Sequence, residues 1–162
     1  MALIDTFGCE VFAFDPTPKA VQFVHENARN VRRYHFNDVG LWSENRRMRF
    51  YEPRNPNHVS HSIVNLQGTS RFFEAQCRRL SSLMADLNHD KLDLLKLDIE
   101  GAEYEVLESI LEDQVKTRIL CVEFDQPTSI LKVGRTLRKL TRTGYTLVSV
   151  DGWNCTFVRD NL

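Results

Sequence analysis

A chain of 162 residues, 42% apolar and 27% charged, is long enough for one domain with a hydrophobic core and too short for two comfortable ones. Its formal net charge of −1 supplies no global field to gather nucleic acid or an anionic membrane, so neither is expected as a partner. No apolar run approaches the roughly 20 residues needed to span a bilayer.

The start MALIDTFGCE lacks a basic stretch and a small-residue cleavage site, so it does not read as a signal peptide. Cys9, Cys77, Cys121 and Cys155 are scattered with no CxxC pair, which points to a reducing, cytoplasmic setting, although four cysteines also allow pairing.

In chain order, the run Cys9–Asp15 is rich in aromatic and β-branched residues and predicts a strand that ends in an acid. Thr17 is placed to cap a helix whose first residue is Pro18, where a missing N–H costs nothing. Val31–Trp42 predicts another strand with a turn near Asn37-Asp38. RRMRFYEP reads as an edge strand closed by Pro53, and Arg54–Thr69 as a polar loop that covers the cleft and sets specificity. A helix beginning near Cys77 places Leu80, Leu83, Met84 and Leu87 on one face.

Leu92–Asp98 is a nearly continuous apolar strand that carries Lys96 and Asp98, followed by a helix from about Ala102 to Glu112. Arg118–Phe124 is a buried-type strand, and Ser129 caps a helix with Ile130, Val133, Leu137 and Leu140 on its apolar face. YTLVSV and CTFVRD flank DGWN, a hairpin signal because the glycine accepts positive φ.

Strands alternating with helices predict an α/β fold with one open, mostly parallel sheet, helices on both faces and a C-terminal antiparallel hairpin. Parallel strands buried on both faces carry continuous apolar runs, and ligands gather at their carboxyl ends. Asp15, Asn37-Asp38, Asp98 and Glu123 all fall at or near such ends, where their acids can line a shared cleft.

LLKLDIEGAEYEVL, Leu94 to Leu107, resembles the signature of FkbM-type methyltransferases, enzymes with a class I Rossmann-like fold that use S-adenosylmethionine. VFAFDPTP looks like that family's second strand and acid-proline corner, NDVGLW like the segment after its third strand, and LCVEFD with GYTLVSVDGWNCTFVR like its fifth strand and terminal hairpin. The resemblance implies that Asp15, with Pro16, accepts hydrogen bonds from the cofactor's ribose, and that Asn37, Asp38 and Val39 lie beside its adenine. It further implies that Asp98, Glu100 and Glu103 crowd the mouth of the fourth strand, to hold the cofactor's ammonium or take a proton, with Asp98 and Glu100 as catalytic carboxylates, Lys96 as their partner and a small-molecule or carbohydrate hydroxyl as acceptor.

One feature of the family is missing: no glycine-rich turn precedes Asp15, and MALIDTFG looks like the end of the helix that normally follows that turn. The domain, residues 1–162, is therefore expected to lack the first, central strand. Either it is N-terminally truncated, or the second and fourth strands meet directly, or another segment fills the gap.

Simpler readings stand beside these. Glu103 and Glu105 can serve only to oppose a helix dipole. His58 and His61 lack a third metal ligand, so no metal is expected. The run Arg46, Arg47, Arg49 suits a solvated edge, and Arg135, Arg138, Lys139 and Arg142 read as exposed helix surface. A non-catalytic, degenerate Rossmann-like binding module is the alternative function. A dinucleotide-binding oxidoreductase is disfavoured because no GxGxxG occurs.

Overall fold

The computed structural model describes residues 2–54, 61–65, 68–124 and 128–160. The first half comprises α1 (Ala2–Phe7), β1 (Val11–Phe14), α2 (Pro18–Asn27), β2 (Tyr34–Asn37), β3 (Gly40–Leu41), β4 (Arg46–Tyr51) and β5 (Phe72–Arg78). The second half comprises α3 (Leu80–Asp86), β6 (Leu92–Leu97), α4 (Glu103–Glu112), β7 (Thr117–Glu123), α5 (Ile130–Arg142), β8 (Thr146–Asp151) and β9 (Asn154–Val158).

Local chemistry sets several boundaries as expected. Thr17 accepts a hydrogen bond from the Ala20 amide and Ser129 one from the Lys132 amide, so both helices start on a side-chain cap. Gly144 follows α5 at φ +95°, and Gly152 takes φ +58° in the β8–β9 turn, conformations that cost a residue with a Cβ.

The α/β class holds, but a single mostly parallel sheet does not form. Among the described residues the strands fall into three sheets, a parallel pair β1-β2 and two mixed sheets ordered β3-β5-β4 and β6-β7-β9-β8. Pairs β1–β2, β3–β5 and β6–β7 are parallel, whereas β4–β5, β7–β9 and β8–β9 are antiparallel.

The strand β5 is the cause of the first mixed sheet. Sequence reasoning placed Cys77 and Arg78 in a helix, but Phe73, Ala75 and Cys77 turn inward while Phe72, Glu74 and Gln76 face solvent. That period of two belongs to a half-buried strand. β5 accepts β4 along its full length, from Arg46 opposite Cys77 to Tyr51 opposite Phe72.

β1 and β6 do not pair with each other. Each has one hydrogen-bonded neighbour among the described residues, β2 and β7 respectively. The two sheets nonetheless approach, since the Phe12 ring of β1 meets the His89 ring ahead of β6 edge-on at 4.7 Å. The expected two-sided burial is correspondingly incomplete: all of β1 is half-buried and Leu94 of β6 is 41% exposed.

The core lies over the four-stranded sheet. Leu97, Leu120, Val122 and Phe157 of its strands pack with Val106, Leu107 and Ile110 of α4 and Leu140 of α5. Ile130, expected on the apolar face of α5, is 88% exposed instead. It stands in the first turn, and the buried side chains of this helix, Thr136 and Leu140, begin further on.

Candidate functional site

The signature segment begins where β6 ends. Lys96 and Asp98 alternate onto the same side of the chain, and the Lys96 ammonium donates to the Asp98 carboxylate at 2.7 Å, with Glu123 of β7 at 4.0 Å. The hydrogen bond to Asp98 holds the ammonium above the ordinary lysine range against the opposing effect of burial. A lysine so held is protonated at neutral pH and cannot act as a base. Lys96 therefore pairs with an acid, as expected. The pair is not buried, since its side chains are 54% and 44% exposed, so burial gives Asp98 no special status.

The buried acid is Glu103, only 1% exposed. Its carboxylate folds back to accept the Ile99 amide at 3.1 Å and the Gly101 amide at 3.0 Å. These bonds close a turn in which Glu100 and Gly101 both take positive φ, +53° and +98°. A glycine ringed by acids is thus a compact strand-to-helix corner. Ser62 donates its hydroxyl to the Glu100 carbonyl and ties the corner to the loop beyond β4. The sequence sets Glu103 beside Asp98 and Glu100 at the strand mouth, with a helix-dipole role as the simpler alternative; its carboxylate instead accepts the backbone amides of the corner itself.

The second cluster forms at the ends of β1 and β2. The Asp15 amide donates to the Asn37 carbonyl at 3.1 Å, continuing the parallel ladder one step past β1. One Asp15 carboxylate oxygen accepts the Thr17 amide at 2.8 Å, an Asx-type turn that aims the chain into α2. Burial and then the Asp15 charge push the Tyr34 phenol above its usual range.

Gly40 brings the β3-β5-β4 sheet against this corner. A Cβ there would meet the Cys77 sulfur and the Phe50 ring, each at 2.7 Å, and Pro16 at 3.4 Å. Only glycine allows that approach.

The result is an open cavity of about 660 Å³ between α2, the β2–β3 turn and β4–β5. Pro16, Asp38 and Val39, three of the residues singled out from sequence, line it. Val21, Gln22 and His25 of α2 and Arg47, Phe73, Glu74 and Gln76 of the sheet complete most of the wall. None of these seven was a candidate, because their convergence depends on how β5 pairs.

Asp15 and Asn37 flank the cavity in sequence without lining it, and Lys96, Asp98 and Glu100 are not in its wall. The structure therefore gathers the candidates into two clusters. Among the described residues no group of three His, Cys, Asp or Glu side chains could hold a metal ion. His58 lies outside the described residues, as does much of the expected cleft loop, at 55–60 and 66–67. His61 packs edge-on against Phe73 at 5.4 Å. All four cysteines are free thiols.

An α/β domain with acids at its strand ends and a cavity beside an acid-proline corner has the form of a methyltransferase-like domain. The FkbM methyltransferase domain family matches residues 3–147, and the chain belongs to that family. It is similar to the probable methyltransferase-like protein 24 of Homo sapiens, 28% identical over 112 residues, and to that of Rattus norvegicus, 27% identical. It is also similar to the 2-O-methyltransferase NoeI of Sinorhizobium fredii, 26% identical over 132 residues. These alignments cover 69% of this chain for the two mammalian proteins and 71% for the bacterial one. The chain spans 24% of the length of each mammalian relative and 53% of the bacterial one. No solved structure matches it.

Proposed function

We propose that the domain is an S-adenosylmethionine-dependent O-methyltransferase acting on a hydroxyl of a small molecule or sugar. One observation carries this reading: in a chain of the FkbM family, Pro16, Asp38 and Val39 meet in one cavity directly after the Asp15 corner. The printed name of the bacterial relative, a 2-O-methyltransferase, supports oxygen as the acceptor atom.

The donor set suits the adenosine end of the cofactor. Asp15 commits one carboxylate oxygen to the Thr17 amide, which leaves the other to accept a ribose hydroxyl. Asp38 makes no hydrogen bond or ion pair among the described residues and is available to the adenine edge. Pro16 and Val39 offer apolar surface for its ring faces.

Adenosylmethionine, when bound, supplies a methyl group on an electrophilic sulfonium. The chain's own part in the reaction falls to the β6 corner. Asp98, oriented by Lys96, takes the proton of the acceptor hydroxyl, with Glu100 a second carboxylate in the same strand-to-helix corner.

A second reading, a degenerate Rossmann-like module that binds without catalysis, is favoured by one observation. Asp15 and Asp98 follow strands of different sheets, and β1 and β6 do not pair. Calorimetric titration with adenosylmethionine and adenosylhomocysteine separates the two. Micromolar binding, followed by turnover on hydroxylated acceptors, is expected. Absence of binding to either compound favours the module.

A further inference from the structure

The helix α5, ILKVGRTLRKLTR, holds five basic residues and no acid. Two are neutralised locally: Lys132 pairs with Glu105 at 3.0 Å and Lys139 with Glu108. The other three, Arg135, Arg138 and Arg142, are exposed and form no ion pair among the described residues. At about 100° per residue they fall, with Leu131, within roughly 60° of arc. This stripe lies opposite the face that Thr136 and Leu140 bury, so it points directly away from the core.

Leu131 is 71% exposed at the amino end of that stripe, and Ile130 stands beside it as the most exposed large apolar side chain described. Neither residue packs on the core, and core formation gives no reason for them. Trp153 adds a third exposed apolar group at the same end of the molecule. Its carbonyl accepts the Phe124 amide, the Phe124 ring packs on Tyr104, and the Lys132 ammonium lies 4.5 Å above the Tyr104 ring.

We propose that α5 docks on an anionic lipid surface. The three arginines face acidic headgroups over about 10 Å of helix axis, and Leu131 with Ile130 enters the acyl boundary at the amino end. Mixed charge and apolar surface select this partner. An acidic peptide or an RNA backbone would satisfy the guanidiniums and leave Leu131 and Ile130 in water, whereas a bilayer interface receives both. The overall charge of −1 does not oppose docking, because a local cluster acts within the screening length, about 8 Å at physiological salt. No described helix is long and apolar enough to cross a membrane, so the contact is interfacial.

Vesicle flotation of the full chain tests the proposal, using phosphatidylcholine vesicles with and without phosphatidylserine. Phosphatidylserine is expected to tighten binding at least tenfold, and high salt to reverse the gain. Each Arg→Gln change at 135, 138 or 142 should weaken binding about fivefold, the equivalent of roughly 1 kcal/mol per basic residue. Leu131→Ser should weaken it without changing the salt dependence.

Equal binding to both vesicle types, or none to either, overturns the proposal. So does equal affinity for polyglutamate or RNA homopolymer without a preference for vesicles. Should the Arg→Gln variants fail to fold, the salt titration of the unsubstituted chain and the Leu131→Ser variant decide the question alone.

Discussion

The carboxylate of Glu103 bends back to the amide of Gly101, 3.0 Å away, and locks the corner between β6 and α4. It also holds the Ile99 amide. Hydrogen bonds to a charged group contribute about 1.5–3 kcal/mol each, and Glu103→Ala would leave two amides without their acceptor. Urea denaturation is expected to show a loss of about 3–5 kcal/mol, with Glu103→Gln retaining part of it.

Gly40→Ala drives a methyl group into Cys77 and Phe50. Overpacking of this kind costs about 1–3 kcal/mol. In the Gly40→Ala background, Cys77→Ala removes one of the two clashing groups, so the pair of substitutions should cost less than their sum. A double-mutant cycle by denaturant unfolding reads that coupling.

Asp15→Ala removes the carboxylate assigned to the ribose. If the proposed ribose contact is made, losing that charged hydrogen bond should weaken adenosylmethionine binding by roughly 10- to 100-fold. Calorimetry checks this, and an unchanged affinity removes the ribose assignment.

Asp98→Asn separates chemistry from stability. The Lys96–Asp98 pair is about half exposed, and such pairs contribute at most about 1 kcal/mol. The melting temperature should move little while turnover on a hydroxyl acceptor falls about 100-fold or more, the scale of a lost general base. Full turnover in this variant removes Asp98 from the reaction.

Acid sensitivity is expected at the α3–α4 contact. The hydrogen bond from Arg79 holds the Asp113 carboxyl below the usual aspartate range, helped by Ser81. A depressed folded value means that the unfolded chain binds the proton more readily, so this stabilisation is complete above about pH 5 and fades as pH falls further. Asp113→Asn should flatten the stability profile in that acid range, as followed by thermal unfolding from neutral to low pH.

The legible features were local. Thr17, Pro18 and Ser129 announce helix starts because a cap acts within three residues. The Asp-Gly turn announces the hairpin, and the segment from Leu94 to Leu107 carries a family signature that residues 3–147 confirm. The strand β5 was also written in its alternation, but the helical spacing of Leu80, Leu83 and Met84 just beyond it drew Cys77 and Arg78 into the wrong element.

By itself the sequence determined most of the elements other than β5, the helix caps and the hairpin turn, and membership of the FkbM family, because propensity, capping and periodicity act between near neighbours. Only the tertiary structure decided that the described strands divide into one parallel pair and two mixed sheets, and that Glu103 is a buried acid while Asp98 is exposed. It alone brought Arg47 and Phe73 to face Pro16 and Asp38 across one cavity. Burial and strand pairing depend on partners far away in the chain, and no window of adjacent residues contains them.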